Sequence, residues 1–281
     1  MDLADKVVLI TGGARGIGLA MAHAFAAKGA RLVLTDIDEE QLAIAENDIK
    51  ASDSWVKTMK IDVAREADVE RMVAQTIDEA GQLDVLISNA GVSASGPAEL
   101  MPMDDWRWIT DINMWAHVYA VRAALPYFKE RGSGHLVHVS SAAGILGTPA
   151  LSAYCMTKFA VFGLAESLAV SLHGSGIGVT LVCPLWVDTD IALHGRVTMD
   201  PSLDIDSEKA KELSREMVRS AGIPAEKVAD ETVAAVEEGR FLVLPHPEVQ
   251  KFARRKWDDP ERYIARAAET LKATQSIFGG S

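Results

Sequence analysis

Tyr154 and Lys158 stand four residues apart at the start of a predicted helix, so both side chains share one face. A phenol beside an ammonium is an acid–base pair. Phenol loses its proton near pH ~10, and lowering that by ~3 units takes ~4 kcal/mol of preferential stabilisation of phenolate. A neighbouring cation supplies such attraction, more strongly in a water-poor cleft. Ser141 lies thirteen residues before Tyr154, just after an apolar run, where its hydroxyl could hold a substrate oxygen. Alone, this spacing is more often a packed tyrosine beside an exposed lysine. The elements that would position the pair decide between the two.

The first of those elements is at the N-terminus. An apolar run, Val7 to Ile10, leads into Thr11-Gly12-Gly13-Ala14-Arg15-Gly16-Ile17-Gly18 and then a helical pattern with apolar Leu19, Met21, Ala22, Phe25 and Ala26. Strand, glycine turn and helix in that order cradle a dinucleotide pyrophosphate at the positive end of the helix. A second strand, Arg31 to Thr35, ends at Asp36, 18 residues after Gly18, where a carboxylate would grip the ribose hydroxyls. That carboxylate would repel a 2′-phosphate, and Ile37 and Asp38 supply no cation, so NAD is expected over NADP. Arg15 is the countersignal: it could reach a 2′-phosphate, point to solvent or pair with an acid.

Strand-like and helix-like runs alternate beyond this point. Helices are expected at about 39–49, 66–80, 104–129, 152–172 and 225–238, and strands at 55–61, 83–88, 134–139, 179–182 and 241–244. The apolar character of the strands marks burial on both faces, so the expected class is α/β, a doubly wound, mainly parallel seven-stranded sheet with helices on both faces. Ligands then lie at the strands' carboxyl ends. Residues 188–222 are polar and break the pattern, with a helix expected from Asp206 to Arg219. They are the expected substrate lid, and 247–276 form a charged helical extension. Nothing in 281 residues, 48% of them apolar, demands a second domain.

A net charge of −12, from 28 basic and 40 acidic residues, argues against nucleic acid or anionic membrane as partner. The start lacks the pattern of a secretion signal, and Cys155 and Cys183 are the two cysteines. A cytoplasmic protein without a disulfide framework is expected. Seven histidines are scattered without metal-ligand spacing, so no metal is expected and surface or packing roles are assigned to them. Trp106, Trp108 and Trp115 read as core and helix interface.

The glycine turn, Ser88-Asn89-Ala90-Gly91, Asn113, Ser140-Ser141, Tyr154 to Lys158, and Pro184 with Val187 and Thr189 run in the order of the short-chain dehydrogenase/reductase family. The chain resembles that family over about residues 5–190. The resemblance implies a Rossmann-type fold, a nicotinamide cofactor and a catalytic set of Asn113, Ser141, Tyr154 and Lys158. Asn113 would order a water linking Lys158 to solvent. It further implies cofactor contacts from Gly12, Arg15, Gly16, Ile17, Gly18, Asp36, Asp62, Val63, Asn89, Ala90, Gly91, Tyr154, Lys158, Pro184, Val187 and Thr189. It implies a homodimer or homotetramer through the helices at 104–129 and 152–172. Two positions depart from the family pattern: Ser88 replaces an asparagine, and Leu185 replaces the usual glycine.

Candidate substrate contacts are Ser93, Ile145, Leu151, Leu185, Trp186 and Ile191, with Val92, Leu146 and Leu193 nearby. Leu185 and Trp186 are expected at the pocket mouth, and Ile191 and Leu193 facing inward. This largely apolar set favours a bulky hydrophobic secondary alcohol or its ketone. Three rival roles stay open: an acyl-carrier-protein ketoreductase, an NAD-binding sensor or scaffold without catalysis, and a membrane or subunit contact through Tyr263, Ile264, Ala267, Ala268 and Leu271.

Overall fold

The computed structural model describes residues 1–51, 54–199 and 207–277, with the side chains of 217 and 270–277 outside that description. Chain order runs β1 (Val7–Thr11), α1 (Gly16–Ala26), β2 (Arg31–Asp36), α2 (Glu39–Lys50), β3 (Val56–Lys60), α3 (Glu66–Ala80), β4 (Val85–Ser88) and β5 (Ala94–Ser95). It continues with α4 (Met103–Thr110), α5 (Ala116–Arg131), β6 (Gly134–Val139), α6 (Ser152–Ser171), β7 (Ile177–Val182), β8 (Arg196–Val197) and α7 (Ser207–Ala221). The last elements are α8 (Ala225–Glu238), β9 (Leu242–Val243), α9 (Pro247–Asp258) and α10 (Pro260–Ile277).

Seven strands form one sheet in the order β3-β2-β1-β4-β6-β7-β9, every pair parallel. Alternate residues of each strand face opposite layers. Val8, Ile10, Leu32 and Leu34 join α1, α2 and α8 in one core, while Val7, Leu9, Val33 and Leu86 join α3, α5 and α6 in the other. The chain leaves β1 toward β2 on one side and comes back to β4 on the other. This reversal opens a crevice at the carboxyl ends of β1 and β4. Both the glycine turn and Ser88–Gly91 sit there.

Three features were not expected. Residues Asp111–Trp115 form a π-turn joining α4 to α5, so the single helix expected at 104–129 widens around Asn113. β5 pairs with β8 in a second, two-stranded sheet, each strand too short to show periodicity. This pairing fastens the start of the expected lid to the loop after β4. Of the lid, 200–206 lie outside the described residues, Asp206 included, as does the side chain of Leu271 in the expected C-terminal face. Trp115, expected as core or interface, is 42% exposed and stacks on Tyr119 at 6.3 Å. Among the described residues one helix, α6, is long and apolar enough to cross a membrane. Here it packs under the sheet and carries Tyr154 and Lys158.

Candidate active site

The glycine turn is closed by its neighbours. Gly12 has φ +63°, and a Cβ there would stand 2.9 Å from Ala90 Cα; a Cβ on Gly18 would meet the Gly12 carbonyl and the Asn89 amide. Asn89 explains that crowding: its Nδ2 donates to the carbonyls of Thr11 (2.9 Å) and Gly12 (3.1 Å). The amides of Asn89 and Ala90 both donate to Thr11 Oγ1, at 3.0 and 3.1 Å. The end of β4 thus pins the turn after β1. Helix α1 begins with no side-chain cap and no acid in its first turn, leaving its N-terminal amides and dipole facing the turn. Thr189 lies over Gly16, its Cγ2 3.3 Å from where a Cβ would be.

Asp36 ends β2 on the same side. Its carboxylate accepts the amides of Ala14 (3.3 Å) and Asp38 (3.1 Å). Arg15 is paired with Asp38 and lies 3.0 Å from His194 Nε2; of the three options for Arg15, the structure shows pairing with an acid. These residues fit a dinucleotide: an uncapped helix start for the pyrophosphate and a carboxylate for the ribose. Asp62 Oδ1 accepts the amide of Ala64 (3.1 Å), Val63 is partly buried against the second core, and Ile17 against the first.

The remaining chemistry gathers where β4, β6 and β7 end. Lys158 is 3% exposed and donates to the Val139 carbonyl at 3.1 Å. Its ammonium is 5.6 Å from the Tyr154 ring centroid. The Ser141 hydroxyl accepts the Ala143 amide at 3.1 Å and donates to the Pro184 carbonyl at 3.4 Å. The Asn113 side chain staples Val92, accepting its amide and donating to its carbonyl, each at 2.8 Å. Gly91 leaves the space between: a Cβ there would be 3.4 Å from Asn113 Oδ1 and 3.5 Å from Lys158 Nζ.

Burial governs the charges. The Tyr154 phenol is pushed up to about 12, chiefly by desolvation and against the Ser141 hydrogen bond. Desolvation lowers Lys158 to about 8 and raises the Cys183 thiol to about 12. Desolvation, the largest cause, thus raises the phenol, opposite in direction to the lowering that a neighbouring cation would bring.

The remaining expected contacts lie as follows. Leu185 is half-buried and packs against the cluster of Ala142, Leu146 and Val249, as does Ile145. The Val187 side chain is buried in the core that Ile223 packs against, and its backbone bridges to Ile223. Ser93 is engaged by its carbonyl, which accepts the Arg196 amide at 3.0 Å. Leu151 caps α6 half-buried, after Ala150, whose φ of 59° is held by the Gly96 amide on its carbonyl at 2.8 Å. Trp186, Ile191 and Leu193 are half-buried. Among residues given only bland roles, His117 and His138 form a buried pair, Nδ1 to Nδ1 at 3.0 Å. Their Nε2 atoms have no hydrogen-bond partner among the described residues. His246 is also buried and ties down the loop after β7. No spacing marked it.

The chain matches the short chain dehydrogenase family over residues 6–198, and it belongs to that family of oxidoreductases. It is 33% identical over 258 residues to a CLA biosynthesis dehydrogenase/reductase of Lactiplantibacillus plantarum, covering 88% of this chain and 90% of that protein. A 1-deoxy-11-beta-hydroxypentalenate dehydrogenase of Streptomyces exfoliatus is 29% identical over 268 residues, 94% of this chain and 92% of its own length. A short chain dehydrogenase/reductase from Burkholderia phymatum, solved in complex with NAD, superposes with a TM-score of 0.86 at 31% identity, covering 93% of this chain and 96% of that one.

Proposed function

We propose that this protein is an NAD(H)-dependent oxidoreductase that interconverts a bulky hydrophobic secondary alcohol and its ketone. The observation that carries the reading is the meeting of half-buried Tyr154 with buried Lys158 and Ser141 beside the Asp36-edged glycine turn. When bound, the nicotinamide exchanges a hydride with the substrate carbon. In the reducing direction Tyr154 gives its hydroxyl proton to the carbonyl oxygen; a phenol pushed upward holds the proton it must give. In the oxidising direction the phenolate takes the alcohol proton, so that rate rises with pH. Ser141 orients the oxygen. Lys158 supplies positive charge to the phenolate that forms, in a site where dry surroundings strengthen the attraction. Asn113 keeps the loop of Val92 in place at the edge of this space.

NAD is favoured because Asp36 stands where a 2′-phosphate would go, and Arg15 is already committed to Asp38 and His194. A hydrophobic substrate is favoured by half-buried Leu151, Trp186, Ile191 and Leu193. The cations nearby are engaged: Arg196 with Asp105 (2.7 Å), Arg215 with Asp190 (2.8 Å) and Lys256 with the Ile145 carbonyl (2.7 Å). The relative named for a hydroxypentalenate and the NAD complex of the Burkholderia protein agree with this reading.

A panel of aliphatic, aromatic, polycyclic and acyl-thioester substrates, followed by reduced-nicotinamide absorbance, tests it. Turnover is expected with bulky secondary alcohols, and Tyr154→Phe should lower it by at least ~100-fold. Near-normal turnover in that variant, or turnover confined to acyl thioesters, would overturn the proposal.

A further inference from the structure

The chain after β9 crosses back over both loops that border Tyr154. His246 is 5% exposed. Its Nδ1 accepts the Leu185 amide at 3.1 Å, and its Nε2 donates to the Trp186 carbonyl at 2.9 Å. Using both nitrogens this way requires the neutral imidazole with its proton on Nε2. The same carbonyl also accepts the Ile223 amide at 3.0 Å. On the other flank, Lys256 donates to the Ile145 carbonyl at 2.7 Å, and the Tyr263 hydroxyl to the Gly147 carbonyl at 2.8 Å. The Lys256 ammonium lies over the rings of Phe159 (4.8 Å) and Trp257 (5.2 Å). Val249 of α9 closes the space between the loops against Leu146 and Ala142.

Four side-chain hydrogen bonds from the segment 246–263 therefore reach backbone groups of 145–147 and 185–186. Those two loops leave β6 and β7, the strands next to Lys158 and Ser141. A leucine at 185 confines the backbone to fewer conformations than glycine would allow. His246 then fixes the peptide groups on either side of the Leu185–Trp186 bond. We propose that α9 and α10 form a clamp on the substrate-side walls, with His246 as the positioning residue that sets the Trp186 wall and so selects for substrate size. What passes between the walls rests on the oxidoreductase reading above; the holding of the loop does not.

His246→Phe keeps a ring of similar size and removes both hydrogen bonds, while His246→Gln keeps an amide that can donate to the Trp186 carbonyl. Amide exchange by mass spectrometry is read on peptides covering 184–188 and 144–148. The ratio of kcat/KM for a bulky against a small secondary alcohol is read in parallel. In His246→Phe, exchange at 184–188 should quicken by about tenfold and the efficiency ratio should fall by about tenfold through KM, with kcat changing far less. His246→Gln should recover part of both effects. Tyr263→Phe should loosen 144–148 and leave 184–188 unchanged. Unchanged exchange in His246→Phe overturns the clamp, and faster exchange with an unaltered efficiency ratio overturns the selecting role. Should His246→Phe not fold, His246→Gln and Tyr263→Phe decide by the same readings. Absence of turnover in the wild-type protein would remove the functional reading alone, since the exchange arm needs no substrate.

Discussion

Lys158→Met should stabilise the protein measured without nucleotide while removing its turnover. The ammonium is buried with one hydrogen bond, to the Val139 carbonyl at 3.1 Å, and burial lowers its pKa from 10.5 to about 8. At neutral pH the lysine is charged in both folded and unfolded chains, so folding carries the cost of desolvating it. A fall from 10.5 to about 8, at about 1.4 kcal/mol per unit, sets that cost on the order of 3 kcal/mol. Methionine has a similar reach and no charge, but it leaves the Val139 carbonyl without its donor, costing about 1–2 kcal/mol. The net gain is about 1–2 kcal/mol, a rise of roughly 2–3 °C in Tm for a chain of this size.

The pH dependence isolates the cause. Because the folded pKa is lowered, the cost is complete below about pH 8. It is relieved as pH climbs from about 8 to 10.5, where the folded chain releases the proton and the unfolded chain keeps it. The stability gap between variant and wild type should be flat below about pH 8 and narrow above it. Urea unfolding of both proteins at about pH 7, 8.5 and 9.5 measures the gap below the range in which free tyrosine ionises. A variant less stable than wild type by a margin independent of pH would show that Lys158 carries no such cost, and the account of its burial would fail.

Two further outcomes follow from the same geometry. NAD should exceed NADP in kcat/KM by well over tenfold, ~1.4 kcal/mol or more, and Asp36→Ala should shrink the ratio; better turnover of NADPH than NADH by wild type would refute the charge argument. Trp115, Met156, Phe159 and Val170 are exposed on or beside α5 and α6, Val170 to 75%. Such apolar surface should be covered by a second copy, as a dimer or tetramer, and light scattering that finds monomer at micromolar concentration would refute this.

The sheet was legible because its strands are buried on both faces and so read as unbroken apolar runs. β6 begins and ends at the expected residues, Gly134 and Val139. Tyr154 and Lys158 could be placed together because spacing on a helix is also geometry. What sequence could not carry was partnership between distant segments. Asp36 was assigned by its place after β2, but whether Arg15 faces a ligand or an acid depends on Asp38 and on His194, 179 residues away. β5 and β8 are invisible as two-residue runs. The upward push on Tyr154 was not legible because a lysine four residues off is evident in the sequence, whereas desolvation of the phenol is a property of the packed whole.

His246 shows the same limit at the level of one side chain. Its neighbours in sequence, Pro245 and Pro247, mark it as a residue on the way into a helix and nothing more. Its partners are 60 and 61 residues earlier, in a loop that departs from the family pattern at Leu185, a residue expected at the pocket mouth. The structure turns that side chain into the cluster under α9 instead. A glycine at this point would leave the loop free to adapt. A leucine packed beneath a C-terminal helix, with its peptide amide held by a buried imidazole, makes the loop part of a fixed wall. The strands and α6 thus carry the Tyr154–Lys158 pair, and the last helices hold the loops beside it. If the proposed clamp acts on substrate, change in α9 should alter substrate choice while the Tyr154–Lys158 pair stays intact.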